Sequence, residues 1–312
     1  MTLPEHLSRI RETMAAFDAL DAHTAGEPID PAEMYFPRSH AAALDPDRAL
    51  VIGNRGMGKS FWASALVQDT TRQKIAEVFP QAKLGRGEIR VEFGFAGSEG
   101  VLGISRDEID KHLVSGMPTE MFWRAVTLPA IAKVVGKEIP ASLSDRLTWV
   151  REEPAEVREM LRAADQELAG RSGRLVFVFD QLESLSNEFD CRRERTQGIL
   201  QLALAYKSYR SLRIKVFMRP DQSDDDRLWQ FPDASKISGD RVALDWRAHD
   251  LYGLLYTRLR RADPESFDAL VRAVRADLMS SGYTISLFGT IFGDEPEQRE
   301  IFEHIAGVYM GS

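Results

Sequence analysis

The chain has almost no cysteine and no long apolar run. Cys191 is the one cysteine among 312 residues, so no disulfide can form within the chain and nothing points to an oxidising compartment. The six histidines are scattered, with no partner three or four residues away, which gives a zinc site no local support. Residues 1–22 carry acidic side chains throughout and lack the uninterrupted apolar segment of a signal peptide or membrane span. We therefore expect a cytoplasmic protein without a membrane partner.

The chain also has fewer basic than acidic residues. The chain has 40 Lys and Arg against 48 Asp and Glu, a formal net charge of −8. This balance argues against charge-driven binding to nucleic acid or anionic lipid as the main role of the chain. The hydrophobic fraction of 44% is ordinary for a globular protein, and the length suffices for a large core domain with a smaller second one.

Short apolar segments alternate with helical patterns along the chain. The predicted strands are 48–52, 87–95, 174–180, 213–218 and 240–246, and the predicted helices between them include 60–79, 154–170 and 195–209. Such alternation indicates a mostly parallel sheet covered by helices on both faces, which is an α/β fold.

Three regions follow from this pattern. We predict an N-terminal helix and lead-in over residues 1–34, an α/β core over 35–246 and a helical lid over 247–312. The pattern is still helical at the last residues, which leaves open whether the natural chain continues past Ser312, with an effector domain there.

The most specific pattern lies in residues 49–66, ALVIGNRGMGKSFWASAL. Its segment 53–60 matches G-x-x-x-x-G-K-[ST] in full, with a predicted strand before it and a predicted helix after it. Glycines let such a loop curl, so that successive backbone N–H groups point at phosphate oxygens, and the helix adds its partial positive end. The predicted nucleotide-binding residues are Gly53, Asn54, Arg55, Gly56, Met57, Gly58, Lys59, Ser60 and Phe61.

Two side chains of this motif carry chemistry. Lys59 would neutralise the β- and γ-phosphates, and the Ser60 hydroxyl would bind Mg²⁺. The alternative is a glycine-rich turn that matches the pattern by chance. Because the strand and helix context is present, we expect a nucleoside triphosphate site.

A magnesium site also needs a carboxylate. Ligands of open α/β sheets bind at the carboxyl ends of the strands. The predicted strand RLVFVFD ends on Asp180, with Glu183 three residues later. Asp180 is our candidate second metal ligand, beside Ser60; the alternative is a loop acid that happens to follow a strand.

The segments GNRGMGKS, LVFVFDQLES and KVFMRPD together resemble the AAA-like and STAND division of P-loop NTPases, which includes the NACHT and origin-recognition groups. The resemblance covers roughly residues 35–260. It implies a P-loop core with five strands in the order 5-1-4-3-2, a Walker A loop at 53–60 and a Walker B acid at Asp180.

The resemblance also suggests catalytic roles. Lys59 and Asp180 take the usual ones, and Arg219 stands where a sensor arginine faces the γ-phosphate; the alternative is a surface arginine paired with Asp221 or the acids at 224–226. Many relatives have a catalytic Glu directly after the Walker B Asp, where this chain has Gln181. Glu183 resembles a second acid found slightly later, so we expect slow turnover.

A group of three arginines follows the acidic strand. Arg192, Arg193 and Arg195 suit an arginine finger offered to a neighbouring subunit, but a solvated helix start is the favoured interpretation.

The resulting expectation is an ATP- and Mg²⁺-dependent ATPase that acts as a switch or assembly module. The resemblance implies a nucleotide-dependent homo-oligomer, an effector protein as partner and a role in bacterial anti-phage defence. Two alternatives stay open: a DNA-associated ATPase of the origin-recognition or transposition-regulator type, which the acidic charge disfavours, and a scaffold that holds nucleotide without hydrolysing it.

Overall fold

A parallel five-stranded sheet forms the centre of the molecule. The structure, a computed structural model, describes residues 2–16, 26–97, 99, 103–113 and 116–273. The strands are β1 (Leu50–Ile52), β2 (Ile89–Ala96), β3 (Arg174–Asp180), β4 (Leu212–Met218) and β5 (Arg241–Ala243). Their order across the sheet is β2-β3-β4-β1-β5, and every neighbouring pair is parallel. The α/β prediction and the predicted strand order are therefore confirmed.

Thirteen α-helices surround the sheet in the described part of the chain. They are α1 (Leu3–Ala15), α2 (Ala41–Leu44), α3 (Lys59–Val67), α4 (Asp69–Val78), α5 (Arg106–Leu113), α6 (Thr119–Val135), α7 (Leu143–Glu152), α8 (Pro154–Gly170), α9 (Phe189–Tyr206), α10 (Pro220–Ser223), α11 (Ser235–Ser238), α12 (Ala248–Ala262) and α13 (Pro264–Ala273). No helix in these ranges is both long and apolar enough to cross a membrane.

Strand β3 shows why both faces of the sheet are covered. Its side chains alternate between two separate cores: Phe177 and Phe179 pack with α6, α8 and α9, whereas Val176 and Val178 pack with α2, α3 and α4. All four are at most 2% exposed. A strand buried on both faces needs apolar residues at every position, which explains its continuous apolar run.

The single helix predicted over 60–79 is wrong in one respect, because it is two helices that meet at Gln68. Gln68 has an extended backbone (φ −78°, ψ 128°), and its side chain accepts from the N–H of Ile29 and donates to the carbonyl of Glu27. The break therefore follows from contacts with a segment about forty residues earlier. No local helix-stop signal in the sequence marks it.

The first and last described helices form a third, small core. Ile10 of α1, Leu259 of α12, and Phe267 and Leu270 of α13 are buried against one another. An ion pair between Arg9 and Asp263 joins the same helices at 2.8 Å. The remainder of the predicted lid, 274–312, lies outside the described residues.

The amino end of the sheet is held by charged groups. Asp47 contacts Lys83, Arg174 at the start of β3 and Arg213 at the start of β4, at 2.9–3.1 Å. Burial would raise the pKa of Asp47, but these cations outweigh it and lower the pKa to about 2. Nearby, the buried ammonium of Lys215 donates to the carbonyls of Ala43, Asp45 and Arg48.

Candidate functional site

The carboxyl ends of three strands bring the predicted site residues together. β1 ends before Gly53, β3 ends on Asp180 and β4 ends before Arg219. Because β4 pairs with both β1 and β3, these ends lie at one edge of the sheet. The backbone N–H of Gly53 donates to the carbonyl of Met218 at 3.1 Å, which joins the loop to the end of β4.

The loop between β1 and α3 has the backbone shape that its glycines allow. Gly56 and Gly58 have φ values of 83° and 88°, a region that side chains disfavour. A Cβ at Gly58 would meet no atom closer than 3.8 Å, so conformation and not space explains this glycine. Asn54 and Arg55 are exposed, whereas Met57 is buried.

Several backbone N–H groups of the loop have no acceptor within the described protein. Within the described chain, the N–H groups of Arg55, Gly56 and Gly58 donate to no acceptor. The N–H groups of Lys59 and Ser60 open α3, where no carbonyl of the preceding turn can accept them. Gly58 precedes α3 without a side-chain cap. A loop of free N–H groups at a helix N-terminus is an anion site.

Lys59 lies inside this loop. Its ammonium donates to the carbonyl of Gly53 at 2.8 Å and to that of Asn54 at 2.9 Å. Burial lowers the pKa of Lys59, and the carboxylates of Asp180 and Glu183 oppose that shift. The cation therefore lies at the loop, close enough to respond to both predicted acids.

Asp180 is a buried carboxylate without a regular partner. It is 1% exposed, and neither of its oxygens has a hydrogen bond of normal geometry among the described residues. The Ser60 hydroxyl and the Gln181 N–H lie close enough to lower the pKa of the carboxyl, but burial outweighs them and raises it to about 6. Burying such a group without a partner costs free energy, which points to a ligand for it.

The oxygen atoms around Asp180 suit a hard cation. Mg²⁺ prefers carboxylate and hydroxyl oxygens and keeps several waters, so one carboxylate and one hydroxyl suffice beside phosphate oxygens. Asp180 and Ser60 supply such a pair from β3 and α3. The donor set at this position therefore fits Mg²⁺.

The two residues after the acid differ in their surroundings. Gln181 has φ 56°, and its side-chain oxygen lies 2.8 Å from where a Cβ on Gly97 would be, so its amide points toward the end of β2. Glu183 lies on a short 3₁₀ helix, Leu182–Leu185, and is exposed. Its charge acts on both Lys59 and Asp180. Glu183 is therefore the solvent-facing acid of the site.

Arg219 combines both features considered for it. Its guanidinium pairs with Asp221 at 2.9 Å, and its side chain is 39% exposed. Its charge nevertheless reaches the loop, because it lowers the pKa of Lys59. Arg219 thus lies near the loop at residues 53–60 and forms an ion pair with Asp221.

The three arginines of α9 separate into different environments. Arg195 is buried and pairs with Asp110, so the solvated interpretation fails for it. Arg193 pairs with Asp190 and borders a groove of about 370 Å³ that Arg227 and Gln230 also line. Arg192 lies 4.5 Å over the ring of Phe189, which is 79% exposed.

An aromatic network behind the loop was not predicted from the sequence. The indole N–H of Trp246 donates to the carbonyl of Met57 at 3.2 Å. His40 accepts from the indole of Trp62 in α3 and contacts the carbonyl of Asp245. These residues are far apart in sequence, and the sequence signal closest to the network is that Trp246 ends the predicted strand 240–246.

The comparison of this chain with protein-family models, curated proteins and solved structures found no match.

Proposed function

We propose that the chain binds ATP with Mg²⁺ through a P-loop at residues 53–60 and hydrolyses it slowly. One observation carries the proposal: a loop with free N–H groups and a lysine lies at the end of β1, beside a buried, unpartnered Asp180 at the end of β3. A packed core explains neither feature, whereas a polyphosphate with its cation satisfies both.

Each side chain has a distinct task in this proposal. The loop N–H groups and Lys59 hold the β- and γ-phosphates, and Ser60 and Asp180 hold Mg²⁺. The bound cation supplies charge stabilisation on the phosphate oxygens. Glu183 orients the attacking water as its general base, from its exposed position beside Lys59 and Asp180.

Arg219 would let the site distinguish a nucleoside triphosphate from a diphosphate. A guanidinium can form two hydrogen bonds to a γ-phosphate, for which it would exchange its present partner Asp221. Nucleotide state would then alter the segment after β4. We propose that this difference between ATP and ADP controls the helical region or self-assembly, and that the role is a regulatory one, with anti-phage defence as the setting the family resemblance suggests.

Isothermal titration calorimetry tests the binding step directly. The wild-type protein should bind Mg-ATP, and Lys59→Ala should lose at least tenfold in affinity, since one charge-assisted contact contributes about 1.5–3 kcal/mol. Lys74→Ala is the matched control, because Lys74 pairs with Glu77 on the exposed surface of α4. Absence of nucleotide binding by the wild-type protein would overturn the proposal.

Sizing and phosphate release test the switch. We expect a larger assembly with ATP than with ADP or without nucleotide, and slow phosphate release that Lys59→Ala abolishes. Tight binding without release would favour the nucleotide-holding scaffold over the ATPase.

A further inference from the structure

A hydrogen bond from outside the loop fixes one of its peptide groups. Trp246 lies in the connection between β5 and α12, and its indole N–H donates to the carbonyl of Met57. The described chain has no cis peptide bond, so the Met57–Gly58 peptide is trans. In a planar trans peptide the C=O and N–H point in opposite directions. The N–H of Gly58 therefore points away from Trp246.

That N–H is one of the free donors of the loop. Gly58 N–H has no acceptor in the described part of the chain, and it immediately precedes Lys59. A donor held in its binding orientation before the ligand arrives spares the ligand the cost of ordering it. Without Trp246, the peptide between two left-handed glycines, Gly56 and Gly58, would have no such restraint.

The indole itself is held from two sides. Tyr35 stacks on Trp246 with 6.1 Å between ring centroids and 22° between planes, and His40 meets it edge-on at 5.2 Å. His40 is 0% exposed and also accepts from Trp62 of α3, so the same histidine contacts the helix that follows the loop. The indole therefore cannot leave Met57 without disturbing this packing.

Tyr35 extends the contact to helix α12. Its hydroxyl lies beside the buried carboxylate of Asp250, and a Cβ on Gly253 would come within 2.2 Å of that oxygen. Only glycine permits this approach. Helix α12, Tyr35, Trp246 and Met57 thus form one continuous series of contacts.

We infer that Trp246 is a positioning residue of the phosphate loop: it orients the Gly58 N–H toward a polyphosphate, and through Tyr35 it makes that orientation depend on the docking of α12. This inference rests on the proposed function. It predicts a contribution to binding the phosphates that does not depend on the base. Reciprocally, a polyphosphate in the loop would stabilise the docked position of α12.

The test compares two ligands on one set of variants. Inorganic tripolyphosphate and ATP, each with Mg²⁺, are titrated into the wild-type protein, Trp246→Phe and Trp149→Phe. Trp149→Phe is the matched control, because its indole N–H also donates one hydrogen bond, to Glu156 on the surface between α7 and α8. Trp246→Phe should weaken both ligands equally, by about tenfold, the value of one hydrogen bond to a charged group.

The affinities for ATP and for tripolyphosphate together distinguish the possible outcomes. A loss for ATP alone would overturn the inference, since it would assign Trp246 to the nucleoside; unchanged affinity for both would overturn it as well. Wild-type protein that binds neither ligand would instead overturn the proposed function, and the inference with it. If Trp246→Phe does not fold, Tyr35→Leu removes the stacked ring without touching the loop and should weaken both ligands about threefold.

Discussion

The buried imidazole of His40 accepts a hydrogen bond from the indole N–H of Trp62, with 3.0 Å between the two nitrogens. Its other nitrogen lies 3.2 Å from the carbonyl of Asp245, which can only accept, so Nε2 carries the proton. A second proton on Nδ1 would face the indole N–H. Burial is the main cause that lowers the pKa of His40, to about 4.

This arrangement predicts that acid destabilises the fold through His40. In the unfolded chain a histidine gains its proton near pH 6.5, whereas the folded chain resists until about pH 4, so the free energy of unfolding falls across that window. The loss is on the order of 3 kcal/mol. Urea unfolding at pH 7 and pH 4 measures the loss, and His40→Phe should make the free energy of unfolding less dependent on pH, although it lowers stability at pH 7.

The raised pKa of Asp180 makes the free energy of unfolding rise as the pH falls, which is opposite to the effect of His40. The His40 measurement is therefore made in an Asp180→Asn background, which removes the effect of Asp180. Equal slopes with and without His40 would show that the imidazole is not the titrating group.

Asp180→Asn should stabilise the protein that has no ligand. Its folded pKa of about 6 lies above the ordinary 3.8, so the stability it contributes is complete below pH 3.8 and is lost as pH rises through 6. At pH 7.5 the amide should raise the free energy of unfolding by on the order of 3 kcal/mol and abolish Mg²⁺-dependent nucleotide binding. Thermal unfolding with and without Mg-ATP checks both the gain in stability and the loss of binding.

Asp221→Asn is the control for Asp180→Asn. Its carboxylate is exposed, so the change should alter the free energy of unfolding by less than about 0.5 kcal/mol. A destabilised Asp180→Asn would mean that the carboxylate has a structural partner.

Glu183→Gln should slow hydrolysis without weakening binding. A general base commonly contributes a factor of about 100 or more, and the isosteric amide cannot take the proton. Single-turnover phosphate release with calorimetry on the same sample separates the two effects. Glu188→Gln, on the neighbouring exposed segment, is the control. Unchanged turnover in Glu183→Gln would show that Glu183 is not the general base.

Lys215→Met should be strongly destabilising. The change removes the donor for three carbonyls in residues 43–48, at a site where the lysine is 1% exposed. Stranding buried acceptors costs about 1–3 kcal/mol each, so a total loss of at least 3 kcal/mol is expected in urea unfolding. Lys207→Met is the comparison, because that ammonium is more exposed; its cost should stay below about 1 kcal/mol. Similar losses in both variants would mean that burial of Lys215 is not decisive.

The sheet could be predicted because its signals are local. Segment 174–180 is continuously apolar and closes on an acid, and 53–60 places its glycines and lysine at fixed spacing, so short windows of sequence define both. Strand order came from the family resemblance and not from spacing. Helix α7 is missing from the predicted helices, although Leu143, Leu147 and Val150 have helical spacing.

The surroundings of the loop could not be predicted because they depend on distant residues. The tertiary fold brings together four aromatic residues that are distant in sequence, and a buried histidine has no local sequence signal; the four are Tyr35, His40, Trp62 and Trp246. The same holds for Gln68, whose helix break depends on the segment at 27–29. Charge spacing alone likewise did not reveal that Arg195 is buried.

The ion pairs of Asp47 make the two ends of the sheet differ in how their charges are matched. One carboxylate there, in the segment before β1, pairs with cations at the starts of β3 and β4 and with Lys83. At the far end, no ion pair within 4.0 Å joins the described residues that follow β1 to Asp180 at the end of β3. The amino end of the sheet therefore has its opposite charges matched within the protein, whereas the carboxyl end keeps a lysine bonded only to carbonyls and a buried acid for an incoming ligand to match.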